Sequence, residues 1–153
     1  MAGSPGKKLE TILVVDDVEA VLRFCASILE HANFVVLKAA SGDDAIKLAA
    51  GYDGKIDLLL SDVRMPGMSG PDLGETLKKA RPEMHVMFMP GYAGGDMLVL
   101  NYGWAFIEKP FVSKKLVEMI NVVLHTPDKS QGTRQYDQIT NQRGMAERHL
   151  AHY

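Results

Sequence analysis

Short apolar runs alternate along the chain with segments in which apolar residues recur at helical spacing. A run without polar alternation is typical of a strand buried on both faces, whereas apolar residues at i, i+3, i+4 and i+7 indicate one face of a helix. The first helical segment begins at Val18, directly after such a run. The runs that predict strands are residues 11–15, 34–37, 56–61, 86–89 and 104–107. The pattern therefore predicts five strands, each followed by a helix.

Turn and capping residues set the predicted ends of the helices. Ser41 suits a cap before the second helix, and Pro71 suits the first position of the third. The fourth strand runs into a glycine-rich loop, so only residues 96–101 remain for a short fourth helix. Ser113 is expected to cap the fifth helix, which Thr126-Pro127 ends. Alternation of this kind builds right-handed βαβ units, which predict an α/β fold with helices on both faces of a parallel sheet.

The 153 residues are long enough for one domain with its own core. We expect this domain to occupy residues 11–126. Residues 1–10 are rich in Gly, Pro, Ser and Lys, which predicts a flexible lead-in. Residues 127–153 carry few apolar side chains and predict a polar tail that is mostly disordered or forms a short helix.

The composition and charge of the chain limit the kinds of binding partner and the cellular compartment that we expect. With 17 basic and 19 acidic residues, the chain has no excess of positive charge that would attract nucleic acid or an anionic membrane surface. Cys25 is the single cysteine, so an internal disulfide framework is excluded, and its place on a helical apolar face predicts a core residue. No run approaches the roughly 18 apolar residues of a membrane span, and no signal peptide precedes the first strand. We therefore expect a cytoplasmic protein without membrane insertion.

Acidic residues and a lysine stand where the predicted strands end. Asp16 and Asp17 follow the first predicted strand, and Lys109 follows the fifth strand. Asp62 stands between the third strand and a turn that contains Pro and Gly. Because the carboxyl ends of parallel strands meet at one edge of the sheet, these side chains should converge. Carboxylates in one crevice need a cation, and oxygen ligands alone favour Mg²⁺. Taken alone, Asp62 could equally cap a turn.

The simplest chemistry for this group is phosphoryl transfer. The carboxylate of Asp62 would attack a phosphorus atom, while Mg²⁺ and the ammonium of Lys109 neutralise the developing charge. The convergence of the residues thus favours a reactive role for Asp62 over a structural one.

Three motifs together resemble the receiver domain of bacterial two-component response regulators. They are Val15-Asp16-Asp17, the stretch SDVRMPGMSG at residues 61–70, and Lys109-Pro110-Phe111, in this order. The resemblance covers residues 11–126. It implies a flavodoxin-like (βα)5 three-layer sandwich whose parallel five-stranded sheet has the order 2-1-3-4-5.

The resemblance also implies a role for each residue of the site. Asp62 would be the phosphoacceptor and Lys109 the contact to the phosphoryl group. Asp17 and Asp62 would bind Mg²⁺ directly with the carbonyl of Arg64, and Asp16 would bind it directly or through water. The donor would be a phosphohistidine on a sensor histidine kinase or a phosphotransfer protein. The chain would assist only its own phosphorylation and dephosphorylation and would not be an enzyme.

The resemblance leaves other properties open. They are the downstream effector, the formation of a homodimer, and whether the chain stands alone or is the receiver of a hybrid sensor kinase.

The chain departs from the receiver pattern at the end of the fourth strand. Receivers carry Ser or Thr there, whereas this chain has Pro90 followed by Gly91. Proline has no hydroxyl and no N–H, and a hydrogen bond to a charged group is worth about 1.5–3 kcal/mol. Because about 1.4 kcal/mol corresponds to a tenfold change in an equilibrium constant, phosphorylation would shift the conformational equilibrium less strongly by roughly ten- to a hundredfold. We expect that Asp62 is phosphorylated but that the conformational response of residues 90–95 and Phe106 is smaller or follows a different route. The N–H of Gly91 stays available as a hydrogen-bond donor.

Three other functions compete with that of a phosphoacceptor module. A binding scaffold that no longer switches by phosphorylation is favoured by Pro90 and opposed by the intact acidic residues and Lys109. An aspartyl-phosphate hydrolase would need a second acid two residues after the nucleophile, where this chain has Arg64. A flavin carrier would need hydroxyls and glycines after the first strand, where Asp16 and Asp17 would repel a phosphate.

Overall fold

A parallel five-stranded sheet forms the centre of the protein, and its strand order is β2-β1-β3-β4-β5. A computed structural model describes residues 8–91 and 104–126. Its strands are β1 (Thr11–Val15), β2 (Val35–Ala39), β3 (Leu58–Asp62), β4 (His85–Met89) and β5 (Ala105–Phe106). Four helices fall in the described residues: α1 (Glu19–His31), α2 (Gly42–Gly51), α3 (Gly70–Ala80) and α4 (Ser113–His125). The predicted α/β fold and strand order are confirmed.

Two apolar clusters cover the two faces of the sheet, because successive side chains of a strand point to opposite faces. Ile12 and Val14 of β1 pack with α1 and α4 in the first cluster, whereas Leu13 and Val15 pack with α2 and α3 in the second. All five residues of β1 and of β3 are buried. The central strands therefore need no polar alternation, as their sequence predicts.

Cys25 lies in the first cluster, where it contributes to the core. Its side chain is fully buried, and its Sγ lies 3.7 Å from Sδ of Met89 in β4. Burial is the main reason that the pKa of the thiol rises to about 12, followed by the charge of Asp16, and Lys109 opposes the shift. The prediction of a core cysteine is confirmed.

The ends of several elements differ from the predictions. The second strand runs from Val35 rather than Phe34, because the N–H of Phe34 donates to the carbonyl of Leu29 and closes the end of α1. The third strand begins at Leu58 and includes Asp62, which pairs with Met89 of β4. The acidic side chain is thus held by the sheet itself.

Helix starts also differ in part. Ser41 caps α2 by accepting a hydrogen bond from the N–H of Asp44, as predicted. Ser69 caps α3, so Pro71 occupies the second helical position rather than the first. Ser113 does not cap α4. The carbonyl of Val112 already accepts the hydrogen bond from Leu116, which makes Ser113 the first helical residue.

Pro90 explains why the pairing of β4 with β5 stops at Phe106. The carbonyls of Phe88 and Pro90 accept hydrogen bonds from Ile107 (2.8 Å) and Lys109 (2.9 Å). The N–H and C=O of one strand residue point to the same neighbour, so the N–H that proline lacks would have faced β5. The ladder therefore ends at the pair Phe88 and Phe106.

Some predictions fall outside the described residues. They concern the short fourth helix at 96–101, the tail at 127–153 and most of the lead-in. Within residues 8–91 and 104–126, no helix is long and apolar enough to cross a membrane.

Candidate functional site

Three carboxylates meet at the carboxyl ends of β1 and β3, which are neighbours in the sheet. Each of Asp16, Asp17 and Asp62 offers an oxygen, and these oxygens lie within 4.8 Å of one another. Asp16 is fully buried and Asp62 is 9% exposed, whereas Asp17 is exposed. The predicted convergence of these side chains is confirmed by the geometry.

Lys109 reaches the same point from the loop that follows β5. Its Nζ lies 3.1 Å from Oδ2 of Asp16 and 3.3 Å from Oδ1 of Asp62. Its backbone N–H donates to the carbonyl of Pro90, which anchors the lysine to the end of β4. One ammonium group therefore bridges carboxylates from two strands.

Burial and charge shape the protonation of the site. Burial raises the pKa of Asp62, and the Asp16 carboxylate adds to this, while Lys109 and the N–H of Val63 oppose it. Burial lowers the pKa of Lys109, but its hydrogen bond to Asp16 and the charges of Asp62 and Asp16 more than offset this effect. The net result is a raised lysine pKa, so Lys109 stays charged.

The site has the donor set and charge that a hard divalent cation requires. One ammonium group lies beside three carboxyl groups, so acidic groups outnumber the basic group in this cluster. The ligand atoms of the cluster are all oxygens, which Mg²⁺ prefers over nitrogen and sulfur. The residues therefore fit Mg²⁺.

Backbone groups orient the two buried acids. Oδ1 of Asp16 accepts a hydrogen bond from the N–H of Val18 (2.9 Å). Oδ1 of Asp62 accepts one from the N–H of Val63 (2.8 Å). Each of these two hydrogen bonds holds its carboxylate through Oδ1.

The turn after β3 requires glycine where it passes Asp62. A Cβ atom at Gly70 would collide with the carbonyl oxygen of Asp62. The N–H of Gly70 donates to the carbonyl of Val63 (2.8 Å), which closes the turn. Gly67 has φ +84°, a left-handed conformation that favours glycine.

A family model described as the response regulator receiver domain matches residues 12–121. The chain belongs to the response regulator receiver family. The resemblance found in the three motifs is therefore confirmed.

Curated relatives of this receiver include a sensor kinase and a response regulator. Sensor kinase CckA of Brucella abortus (strain 2308) is 33% identical over 121 residues, which are 77% of this chain and 13% of that protein. Cell cycle response regulator CtrA of the same strain is 26% identical over 116 residues, which are 74% of this chain and 49% of that protein. The chain thus spans half or less of each of these relatives.

Solved structures share the fold of this receiver. The receiver domain of the hybrid histidine kinase CckA is 37% identical, with a TM-score of 0.62, and the match covers 72% of this chain and 95% of that one. A receiver domain protein from Clostridium thermocellum is 30% identical, with a TM-score of 0.67, and coverage of 74% and 92%.

The residues predicted for the switch lie at the carboxyl ends of β4 and β5, and Arg64 of the predicted metal site follows β3. Phe106 is buried in the second apolar cluster and is 4% exposed. Pro90 is buried at the end of β4, and Gly91 is partly buried. Arg64 is exposed on the turn after β3. Their predicted roles in switching and metal binding stay predictions.

Sequence reasoning missed one polar residue beside the site. Ser61 is fully buried, and its hydroxyl donates to the carbonyl oxygen of Asp62 (2.8 Å). The signal in the sequence is a single hydroxyl directly after the apolar run Leu58-Leu59-Leu60, in a buried strand with no other polar side chain before Asp62.

Proposed function

We propose that this receiver is a phosphoacceptor module of a two-component phosphorelay and that Asp62 is the acceptor. The observation that carries the proposal is the Lys109 ammonium group, which bridges Asp16 (3.1 Å) and Asp62 (3.3 Å) beside the exposed carboxylate of Asp17. The donor is a phosphohistidine of a sensor histidine kinase or a phosphotransfer protein. Similarity to the CckA receiver domain supports a donor of this class.

In the proposed reaction, Oδ2 of Asp62 attacks the phosphorus atom of the phosphohistidine. A new O–P bond forms and the N–P bond breaks, its electron pair staying on the imidazole nitrogen. Val63 and Lys109 hold Oδ1 through hydrogen bonding and charge, which keeps the carboxylate oriented. Lys109 then lies where negative charge builds up on the phosphoryl oxygens.

Asp16, Asp17 and Asp62 would hold Mg²⁺, with the backbone carbonyl of Arg64 as a further ligand. When bound, Mg²⁺ supplies positive charge that lowers the repulsion between an anionic donor and the acidic cluster. We expect no turnover of a separate substrate, so the chain is a regulatory domain and not an enzyme. The phosphoaspartate would instead shift a conformational equilibrium.

We further propose that Pro90 changes the output of this equilibrium. A hydroxyl at this position could bond the phosphoryl group, and proline has none. The carbonyl of Pro90 is already engaged with the N–H of Lys109, so the fold tolerates proline here. Phe106 is buried in the second cluster. Without a hydroxyl at position 90, no hydrogen bond from that position would couple the phosphoryl group to a movement of Phe106.

The phosphoacceptor is tested by mass spectrometry after incubation with acetyl phosphate, with and without Mg²⁺. We expect a gain of one phosphoryl group that needs Mg²⁺, maps to Asp62 and is absent from Asp62→Asn. Asp43→Asn is a matched control, because Asp43 is an exposed acid in the first turn of α2. It should be labelled like the wild-type chain.

The second candidate is a receiver-like scaffold that binds partners without phosphorylation, and Pro90 is the observation that favours it. Absence of any label on Asp62 at saturating Mg²⁺ would support the scaffold and contradict the phosphoacceptor.

A further inference from the structure

Ser61 is a polar residue in the middle of the protein with a specific partner. It belongs to β3 and pairs with Val15 of β1 and Phe88 of β4, so apolar residues flank it on both sides. Its exposure is 0%. A hydroxyl at such a position must be hydrogen-bonded, because burial without a partner is unfavourable.

The partner of the hydroxyl is the carbonyl oxygen of Asp62, at 2.8 Å. The pairing of β1 with β3 ends at Ser61, so Asp62 stands one residue beyond the ladder on that side. The hydroxyl therefore supplies a donor to this carbonyl at a point where the ladder with β1 has ended.

The same peptide group also holds the carboxylate of Asp62. The carbonyl carbon of Asp62 is bonded to the nitrogen of Val63, whose N–H donates to Oδ1 of Asp62 (2.8 Å). The Ser61 hydroxyl thus holds the oxygen of one peptide plane, and the N–H of that plane holds the carboxylate. Rotation of the plane would break both hydrogen bonds.

Gly70 lies against the carbonyl group of Asp62, so this carbonyl has no room to move toward Gly70. A Cβ at this position would collide with the oxygen of Asp62, and the N–H of Gly70 is directed at Val63 instead. The carbonyl is therefore packed by Gly70 and hydrogen-bonded by Ser61.

We propose that Ser61 is a positioning residue for the phosphorylation of Asp62, acting through the peptide group between Asp62 and Val63. The inference rests on the proposed function. Loss of the hydroxyl would free the peptide to rotate and the carboxylate to turn with it, which moves Oδ2 from the line of attack. Misplacement of a reacting group by about 1 Å can slow a reaction by up to about a hundredfold.

The test compares the wild-type chain with Ser61→Ala, Ser61→Thr and Thr11→Val, using acetyl phosphate with Mg²⁺. Thr11→Val is the matched control, because Thr11 is 4% exposed and its hydroxyl lies 3.4 Å from that of Tyr52 at the opposite end of the sheet. Two quantities are measured: the rate constant at saturating donor, and the amide proton shift of Val63 by NMR.

We expect the rate constant of Ser61→Ala to fall about tenfold, with the half-saturating donor concentration changed by less than about twofold. The Val63 amide proton should move upfield as its hydrogen bond weakens. Ser61→Thr keeps the hydroxyl and should restore both quantities, and Thr11→Val should change neither.

The proposal is overturned if Ser61→Ala keeps the wild-type rate and Val63 shift. It is also overturned if Thr11→Val slows the reaction as much, because the effect would then be one of general stability. Failure of the wild-type chain to accept a phosphoryl group would contradict the proposed function instead, and the Val63 shift would still report whether Ser61 holds the peptide.

Discussion

Lys109 contacts the two buried carboxylates of the site. Its ammonium group contacts Asp16 and Asp62, and it opposes the rise in the pKa of Asp62 that burial and the charge of Asp16 cause. The lysine side chain is only 22% exposed, so its charge is less screened than that of a surface lysine. Its removal should therefore affect folding as well as phosphorylation.

We predict that Lys109→Met lowers the free energy of unfolding by about 1–3 kcal/mol, because it leaves two buried carboxylates without their cation. Mg²⁺ should raise the melting temperature of this variant more than that of the wild-type chain, since the metal replaces the missing positive charge. Thermal unfolding with and without Mg²⁺ measures both effects. Lys55→Met is the control, because Lys55 is 67% exposed and pairs with Asp57 at 3.6 Å. Equal responses of the two variants to Mg²⁺ would contradict the prediction.

Cys25 should make the protein less stable at alkaline pH. Burial in the folded chain raises the pKa of the thiol from its ordinary value of 9.0 to about 12. The folded state therefore binds more protons between these values, so its stability is fully present below about pH 9 and falls as pH rises toward about 12. Denaturant titrations at increasing pH should show a shallower decline for Cys25→Ala. A decline that is identical in both chains would contradict this account.

At the scale of elements, the turn between β3 and α3 joins the site to a helix. Gly70 opens α3, packs on the carbonyl of Asp62 and donates to Val63. At the other end of α3, the Arg81 guanidinium donates to the carbonyls of Ala49, Tyr52 and Gly54 and so ties the end of α2 to that of α3. Both ends of α3 are thus held by specific polar contacts.

We predict that Gly70→Ala destabilises the protein by about 1–3 kcal/mol and slows phosphorylation, because the added methyl group must displace the backbone of Asp62. Gly51→Ala is the control, since a Cβ there meets nothing within 4 Å. Helix propensity should make this control neutral or more stable by up to about 1 kcal/mol. Chemical denaturation and the phosphorylation rate test the pair. A Gly70→Ala protein as stable and as reactive as the wild-type chain would show that the turn can relax.

At the scale of the whole molecule, the sheet separates two apolar clusters, and the site lies at the carboxyl ends of β1 and β3. Phe106 and Phe88 belong to the second cluster, and the ring of Phe88 lies 5.5 Å from that of Trp104. A Cβ at Gly74 would come within 2.9 Å of the Trp104 ring, so α3 is packed closely against this group. Movement of Phe106 would therefore require the second cluster to repack.

We predict that a beryllium fluoride analogue of the phosphoryl group shifts the NMR signals of Phe106 more in Pro90→Ser than in the wild-type chain. The serine hydroxyl can bond the analogue and draw the loop inward, whereas proline cannot. Pro82→Ser is the control, because Pro82 is exposed after α3. Trp104 fluorescence is a second readout. Shifts as large in the wild-type chain as in Pro90→Ser would contradict a role for Pro90 in the output.

The sequence predicted the order of elements well because the evidence for it is local. Apolar runs without polar alternation identify buried strands, and the helical repeat after Val18 identifies α1. The cap of α4 was predicted wrongly, since Ser113 and Val112 differ by one residue and only the hydrogen bond to Leu116 decides between them. The ends of β2 and β3 depended in the same way on pairing with neighbouring strands.

The convergence of the site residues was likewise predictable from the sequence alone, because Asp16, Asp17, Asp62 and Lys109 each stand at or just after the carboxyl end of a strand, and these ends meet on one side of a parallel sheet. Tertiary structure decided what no motif states. It places one ammonium group between two acids, buries Phe106 in the second cluster and engages the carbonyl of Pro90. It also gives Ser61 its partner. These facts depend on distances between atoms brought together by folding, whereas the order of the strands depends on periodicity along the chain.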